Sequence, residues 1–176
     1  MRPRHASGNG SRAREFEAYV AGAGGRLLQT ATLLTAEARD DNPRARRLLT
    51  LALAHTYACW DRLRGEDPYD HTRQYLAARF ARGAWRRHGG LLRSRPHPGS
   101  PLARLTPQER LILVLRLHEG VAEEQTAALL GLPAERVRAV FHRAMATVLR
   151  PPPRPAPAVG GVKAVPSRGG GRARPG

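Results

Sequence analysis

Residues 122 to 143, AEEQTAALLGLPAERVRAVFHR, place a small residue, a glycine and two later apolar positions at the spacings that make two helices cross at a tight turn. Ala127 supplies the short side chain where one helix approaches another, and Gly131, four residues on, suits a turn of positive φ. Val137 and Val140 give the second helix an inward face, while Leu130 and Leu132 close the same small core. Helix, turn and second helix make the helix-turn-helix, whose second helix presents outer residues near its N-terminus to base edges in the major groove. Those outer residues are Arg136, Arg138, Ala139, His142 and Arg143. An ordinary helical hairpin with a solvated basic face would share the charge, but it does not require small residue, glycine and apolar positions in this register.

The charge balance agrees with a polyanionic partner. The 176 residues carry 30 Lys and Arg against 14 Asp and Glu, a formal net charge of +16, which favours nucleic acid. Because nearly all the cations are arginine and Ala, Gly and Pro are abundant, GC-rich coding contributes to this composition as well as selection for guanidinium chemistry. No apolar run approaches the roughly 18 residues of a membrane span, and MRPRHASGNG has no apolar leader region. The expectation is a soluble, unexported chain of the cytoplasm with no membrane partner. The single cysteine, Cys59, excludes an intramolecular disulfide and suits a reducing compartment.

Composition divides the chain into two helical blocks between loose ends, an all-α fold of two small helical domains. Residues 1–13 are polar and basic, and residues 151–176 are rich in proline, glycine and arginine without an acid, so both are expected to be disordered tails. Residues 88–101, HGGLLRSRPHPGSP, interrupt any helix repeatedly and are expected to form a flexible linker. The blocks are then 14–87 and 102–150, with no internal repeat and no strand pattern.

Three helices are expected in the first block. Phe16, Val20, Leu27, Ala31 and Leu34 recur at helical spacing, in a helix weakened at Gly22, Gly24 and Gly25. Pro43 opens a second helix with Leu49, Ala52, Leu53, Thr56 and Trp60 on one face. A third, from Asp67 to Arg87, carries Tyr69, Leu76, Phe80 and Ala84 on its apolar face, with Tyr75, Arg79, Arg82 and Arg86 on a neighbouring face and Trp85 toward the side opposite the core. Cations that follow phosphates beside rings that stack on unpaired bases suit single-stranded DNA; the alternative is that Tyr75 and Trp85 pack against a neighbouring element. From Asp70 to Glu109 no acid intervenes, and Arg73, Arg79, Arg82, Arg86, Arg87, Arg93, Arg95 and Arg104 form one basic stretch leading toward the helix-turn-helix, expected to act as a continuous DNA track.

Residues 105–150 resemble region 4 of the extracytoplasmic-function sigma factors of the sigma-70 family. The resemblance lies in Leu105, Pro107, Glu109-Arg110, the apolar run Leu111 to Leu115 ending at Arg116, Glu119-Gly120, Ala127, Leu130-Gly131, Val137, His142-Arg143-Ala144 and Leu149-Arg150. The first block is similar to region 2 in layout, with Phe16, Tyr19-Val20, Leu33-Leu34-Thr35, Thr56-Tyr57, Trp60-Asp61 and Trp85-Arg86-Arg87. The resemblance implies promoter DNA and RNA polymerase core as partners. Region 2 would dock on the β′ clamp and recognise and melt the minus-10 element, and region 4 would bind minus-35 duplex and touch the β flap; an anti-sigma factor is a further expected partner. Tyr75, Arg79, Arg82, Trp85, Arg86 and Arg87 would face the minus-10 strand, and Arg136, Arg138, Ala139, His142 and Arg143 the minus-35 groove, where arginine can read guanine bidentately and a small residue permits close approach. Melting would be driven by binding energy for flipped bases.

The chain also departs from the family pattern. The core-docking stretch, usually acidic with glutamine, reads Ala45-Arg46-Arg47-Leu48-Leu49-Thr50, so Arg46, Arg47 and Thr50 stand where polymerase contact is expected and reverse its charge. Gly83-Ala84 and Arg79 replace polar residues expected in the minus-10 helix, and Pro133 occupies the position of the usual serine cap of the recognition helix. No enzyme, cofactor or metal is indicated. Gly22-Ala23-Gly24-Gly25 lacks the dinucleotide fingerprint, His88 and His97 lie in the linker, and solitary Cys59 belongs to no ligand set of recognised spacing. Asp40-Asp41 and Glu123-Glu124 are expected to favour helix N-termini. Two readings remain: a sigma factor acting with polymerase core, or a stand-alone helix-turn-helix regulator or sigma-like adaptor whose first block binds protein.

Overall fold

A computed structural model describes residues 4–63, 65–85 and 96–150, and within them the regular structure is helical. The first block contains α1 (Arg4–Thr35), α2 (Pro43–Cys59) and α3 (Pro68–Trp85). The second contains α4 (Pro107–Leu113), α5 (Glu123–Leu130) and α6 (Ala134–Leu149). The proline- and arginine-rich segment 151–176 and most of the expected linker lie outside the described residues.

Helix α1 begins at Arg4, so residues 4–13 are helical where composition alone suggests disorder. The tertiary fold supplies what the local sequence lacks. Arg12 lies over the Tyr57 ring at 4.5 Å and pairs with Asp61 at 3.2 Å, anchoring the early turns of α1 to the end of α2. Below it Phe16, Tyr19, Tyr57 and Trp60 form an aromatic cluster with ring centroids 4.9–5.8 Å apart. Leu27, Ala31 and Leu34 are buried as expected, whereas Phe16 and Val20 are half-buried. The α2 face is rotated from its expected position: Ala45, Leu48, Ala52 and Thr56 are buried, while Leu49, Leu53 and Trp60 are half-buried. Small residues at three of these positions let α1 and α3 close on α2, and the Thr56 and Thr72 hydroxyls meet at 2.8 Å inside the block. On α3, Leu76 and Phe80 are buried as expected, joined by Ala77 and Ala81 rather than Tyr69 and Ala84.

Helix ends are closed by residues from elsewhere in the fold. Ala36 follows α1 with φ 51°, the left-handed residue that commonly ends a helix. The carbonyls of Leu34, Thr35 and Ala36 then accept hydrogen bonds from Arg110 at 2.9 Å, Arg44 at 3.2 Å and the His97 N–H at 2.8 Å. Three separate segments thus satisfy the orphan acceptors at one helix C-terminus. At the start of α2 the capping carboxylate is Glu37, which accepts from the Arg44 and Ala45 N–H groups at 3.1 and 2.8 Å; Asp40 and Asp41 are exposed, and the Asn42 side chain makes no capping bond.

In the second block, Leu111 through Leu115 are all buried. A helix apolar on every side has to be enclosed on every side, and α4 is held between α6 and the first block. It opens with a capping box: Thr106 Oγ1 accepts from the Glu109 N–H at 3.3 Å, and Glu109 Oε2 accepts from the Thr106 N–H at 2.9 Å. It continues into a π-helical turn, Val114–His118, closed by the Glu119 N–H on the Val114 carbonyl at 3.0 Å.

The two blocks share a hydrophobic core that runs from Ala31 and Leu34 through Leu76 and Phe80 to Ile112, Leu115 and Val140. Two charged side chains of the second block cross this seam. Arg110 donates to the Leu34 carbonyl of α1 and to its own Leu105 carbonyl at 3.0 Å, and burial followed by the nearby Arg44 charge lowers its pKa to about 10. Glu119, with no exposed side-chain area, accepts from the Tyr69 hydroxyl at 2.9 and 3.1 Å and from Thr30, and lies 3.5 Å from Arg26. Burial, then the hydrogen bond and charge of Glu119, raise the Tyr69 pKa.

Candidate nucleic-acid interface

Gly131 ends α5 at φ 65°, and the Leu132 N–H returns to the Ala127 carbonyl at 3.0 Å. A Cβ at Gly131 would meet nothing within 4 Å, so glycine is favoured there by backbone conformation rather than by crowding. The turn brings α6 across α5, with Ala127, Leu130, Val137, Val140 and Ala144 buried between and beneath them. Pro133 precedes α6 and supplies no side-chain cap; its carbonyl takes the Arg136 and Val137 N–H groups, and Glu135 adds an acid to the first turn.

The five residues expected to face duplex DNA, Arg136, Arg138, Ala139, His142 and Arg143, are all exposed on the outer side of α6. Two are held by acids of their own block. Arg138 reaches Glu123 through Nη2 at 2.7 Å and Nε at 3.3 Å, and that hydrogen bond followed by the carboxylate charge raises its pKa. Arg143 Nε donates to Glu109 at 2.7 Å. Glu109 therefore caps α4 and orients α6 at once. Burial opposes its ionisation, but the bonds from Thr106 and Arg143 outweigh burial and hold its carboxyl below the ordinary range. Both guanidinium groups remain largely exposed to solvent, so each arginine is oriented by its acid while staying accessible to phosphate or base.

On α3, Arg79 and Arg82 are exposed. Tyr75 is half-buried and stacks on His55 of α2, centroids 4.0 Å apart and planes 14° apart, so it packs against the neighbouring helix. Trp85 is the last residue of α3, and Arg86 and Arg87 lie outside the described residues. The basic stretch is less continuous than its sequence suggests. Arg73 turns inward, 3.0 Å from Asp70 and 4.0 Å from Glu119, and Arg104 donates to the Val148 and Arg150 carbonyls at 3.2 and 2.8 Å, closing the C-terminus of α6. Arg93 and Arg95 lie outside the described residues.

On α2, Arg46, Arg47 and Thr50 are exposed, and Arg46 Nε donates to Asn42 at 2.9 Å. Farther along, Cys59 is not solitary in space: His55 and His71 lie beside it, contrary to the expectation that no metal-ligand set forms. Burial, then His71, Arg62 and Arg82, lower the His55 pKa. Glu37, Glu109, Arg110 and Glu119 organise the fold without standing out in the sequence as organising residues. Only Glu109 carried a local signal, since Thr106-Pro107-Gln108-Glu109 has capping-box spacing.

A tight glycine turn, a buried crossing and an exposed basic second helix define a helix-turn-helix DNA-binding protein. Residues 102–148 match the family described as Sigma-70, region 4. The chain is similar to the RNA polymerase sigma-E factor of Streptomyces coelicolor, 31% identical over 150 residues that cover 75% of this chain and 82% of the relative. It is also similar to the RNA polymerase sigma-E factor of Streptomyces avermitilis, 30% identical with the same coverage of each chain. No solved structure matches it. The chain belongs to the extracytoplasmic-function sigma factors of the sigma-70 family. It directs RNA polymerase to promoters as a DNA-binding transcription initiation factor. The similarity extends well beyond region 4, which sets aside the stand-alone helix-turn-helix reading. Among the described residues no helix is long and apolar enough to cross a membrane.

Proposed function

We propose that α6 reads minus-35 duplex through Arg136, Arg138, Ala139, His142 and Arg143, and that the exposed face of α3, with Arg79 and Arg82, tracks the minus-10 strand. Tyr75, Trp85, Arg86 and Arg87 complete the minus-10 surface. Arg46, Arg47 and Thr50 form the docking face for the β′ clamp, and region 4 touches the β flap. The protein acts in the cytoplasm, and an anti-sigma factor is a fitting regulator. The observation that carries this reading is the common exposure of the five α6 residues on a helix whose opposite side is buried.

The seam between the blocks adds a condition. Elements about 25 base pairs apart are separated by about 85 Å at 3.4 Å per base pair, whereas α1, the longest helix at 32 residues, is about 48 Å long. The form in which Glu119 and Arg110 bridge the blocks cannot span both elements, so promoter engagement requires the seam to part. The arginines on α2 still allow docking, through a clamp surface that tolerates or matches positive charge. Reconstitution of the purified chain with core polymerase, followed by transcription from genomic fragments, tests the reading. Specific transcripts that depend on the chain are expected; no core binding at low salt would overturn it.

A further inference from the structure

Cys59 and His55 are four residues apart on α2 and so share one face. His71 comes to the same place from the second turn of α3. The Cys59 sulfur and one nitrogen from each ring all lie within 4.8 Å of one another, with Sγ 4.0 Å from His55 Nε2. Tetrahedral zinc, with bonds of about 2.0–2.3 Å, holds its donor atoms about 3.4–3.6 Å apart. From separations of at most 4.8 Å, the three groups therefore need to close by no more than about 1.4 Å. The imidazole planes are within 3° of parallel with centroids 5.5 Å apart, so one ring has to turn: rotation of His71 about χ2, a soft torsion, aims its in-plane lone pair toward the point shared with His55 and Cys59, while His55 keeps its stack on Tyr75.

His71 Nε2 is buried and has no hydrogen-bond partner. Such an atom carries an unmet desolvation cost that a ligand can relieve. All three residues are half-buried, which leaves a route for an ion and room for water. The guanidinium of Arg62, 3.6 Å from Sγ, opposes a dication, but it is exposed and free to swing aside.

We propose that His55, Cys59 and His71 form a binding site for one zinc-class divalent cation, held by two imidazole nitrogens and one thiolate with a fourth position open to water. Two nitrogens and one sulfur are a donor set that a borderline-soft ion accepts and that magnesium or calcium does not. On binding, the Cys59 thiol releases its proton to solvent and no electron is transferred. The ion ties α2 to α3 and, through the stacking of Tyr75 on His55, fixes that ring. This last consequence rests on the reading of α3 as the minus-10 helix; the site itself does not.

Titration of the untagged full chain with Co²⁺ tests the site. Saturation at one equivalent is expected, with a thiolate-to-cobalt charge-transfer band and tetrahedral visible bands that Zn²⁺ abolishes. Cys59→Ser should lose the charge-transfer band, and His71→Ala should weaken binding about tenfold or more, with the circular dichroism of each apo variant unchanged. Absence of the thiolate band, or undiminished affinity in both variants, overturns the proposal. Binding of a single-stranded minus-10 oligonucleotide with and without Zn²⁺ separates the two readings: an intact cobalt site with no effect on the oligonucleotide refutes the α3 coupling alone.

Discussion

Glu119→Ala probes the seam where it is most buried. The substitution removes the acceptor of the Tyr69 hydroxyl and one of two acceptors within reach of Thr30, which keeps the Arg26 carbonyl at 3.0 Å. Arg73 retains Asp70 at 3.0 Å, and Arg26, more than half exposed, returns to water. The loss therefore centres on Tyr69. A hydrogen bond to a charged acceptor contributes about 1.5–3 kcal/mol, and the exposed arginine adds at most about 1 kcal/mol. The sum is roughly 3 kcal/mol, corresponding to a fall in Tm of about 6–12 °C for a chain of this size. Glu119→Gln, which keeps an oxygen toward Tyr69, should cost about half as much. Urea denaturation gives the free energy, and small-angle scattering gives the radius of gyration, which should rise as the blocks separate. Minus-35 duplex affinity should not fall, because Glu119 does not lie on the exposed side of α6. A destabilisation below about 0.5 kcal/mol with unchanged scattering would show that Glu119 does not hold the seam.

Three further outcomes follow from local geometry. Gly131→Ala meets open space but must hold φ 65°, so a destabilisation of about 1–2 kcal/mol is expected with no steric component, measured by thermal unfolding; a neutral result would show that the turn relaxes to another conformation. Arg138→Ala should flatten discrimination among duplex sites more than it weakens binding overall, whereas uniform weakening with a shallower salt dependence would make Arg138 a phosphate contact. Burial opposes ionisation of Glu37, but the N–H groups of Ala45 and Arg44, the Arg44 guanidinium and Thr35 outweigh it and hold the carboxyl below its ordinary value of 4.5. A carboxyl depressed in the folded state adds stability that is fully present above about pH 4.5 and is lost as pH falls through the folded value. Glu37→Gln should therefore lower stability at neutral pH and flatten its acid dependence; a parallel offset at every pH would refute that linkage.

The helix-turn-helix was legible because its requirements are local: Ala127, Gly131, Val137 and Val140 lie within a few turns of one another, and one backbone torsion and one crossing fix them all. The outward face of α6 followed from the same register. The rotation of the α2 face was harder to read, since Leu48 and Leu49 are equally apolar and only the approach of α1 and α3 decides which is buried. The run Leu111 to Leu115 was visible as a motif, but its enclosure on all sides depends on a block that ends some twenty residues earlier. Arg73 and Arg104 looked like members of a basic track, and the fold uses them to meet Asp70 and Glu119 and to close α6.

By itself the sequence determined the all-helical architecture, the recognition helix and the membership in a two-block promoter-binding family, because periodicity, turn chemistry and charge act over short distances. Only the tertiary structure decided which polar groups are buried together. Glu119 meets Tyr69 across fifty residues, Arg110 meets the Leu34 carbonyl across seventy-six, and Cys59 meets His71 across a helix junction. Such meetings depend on desolvation and packing, and no local pattern in the chain encodes them.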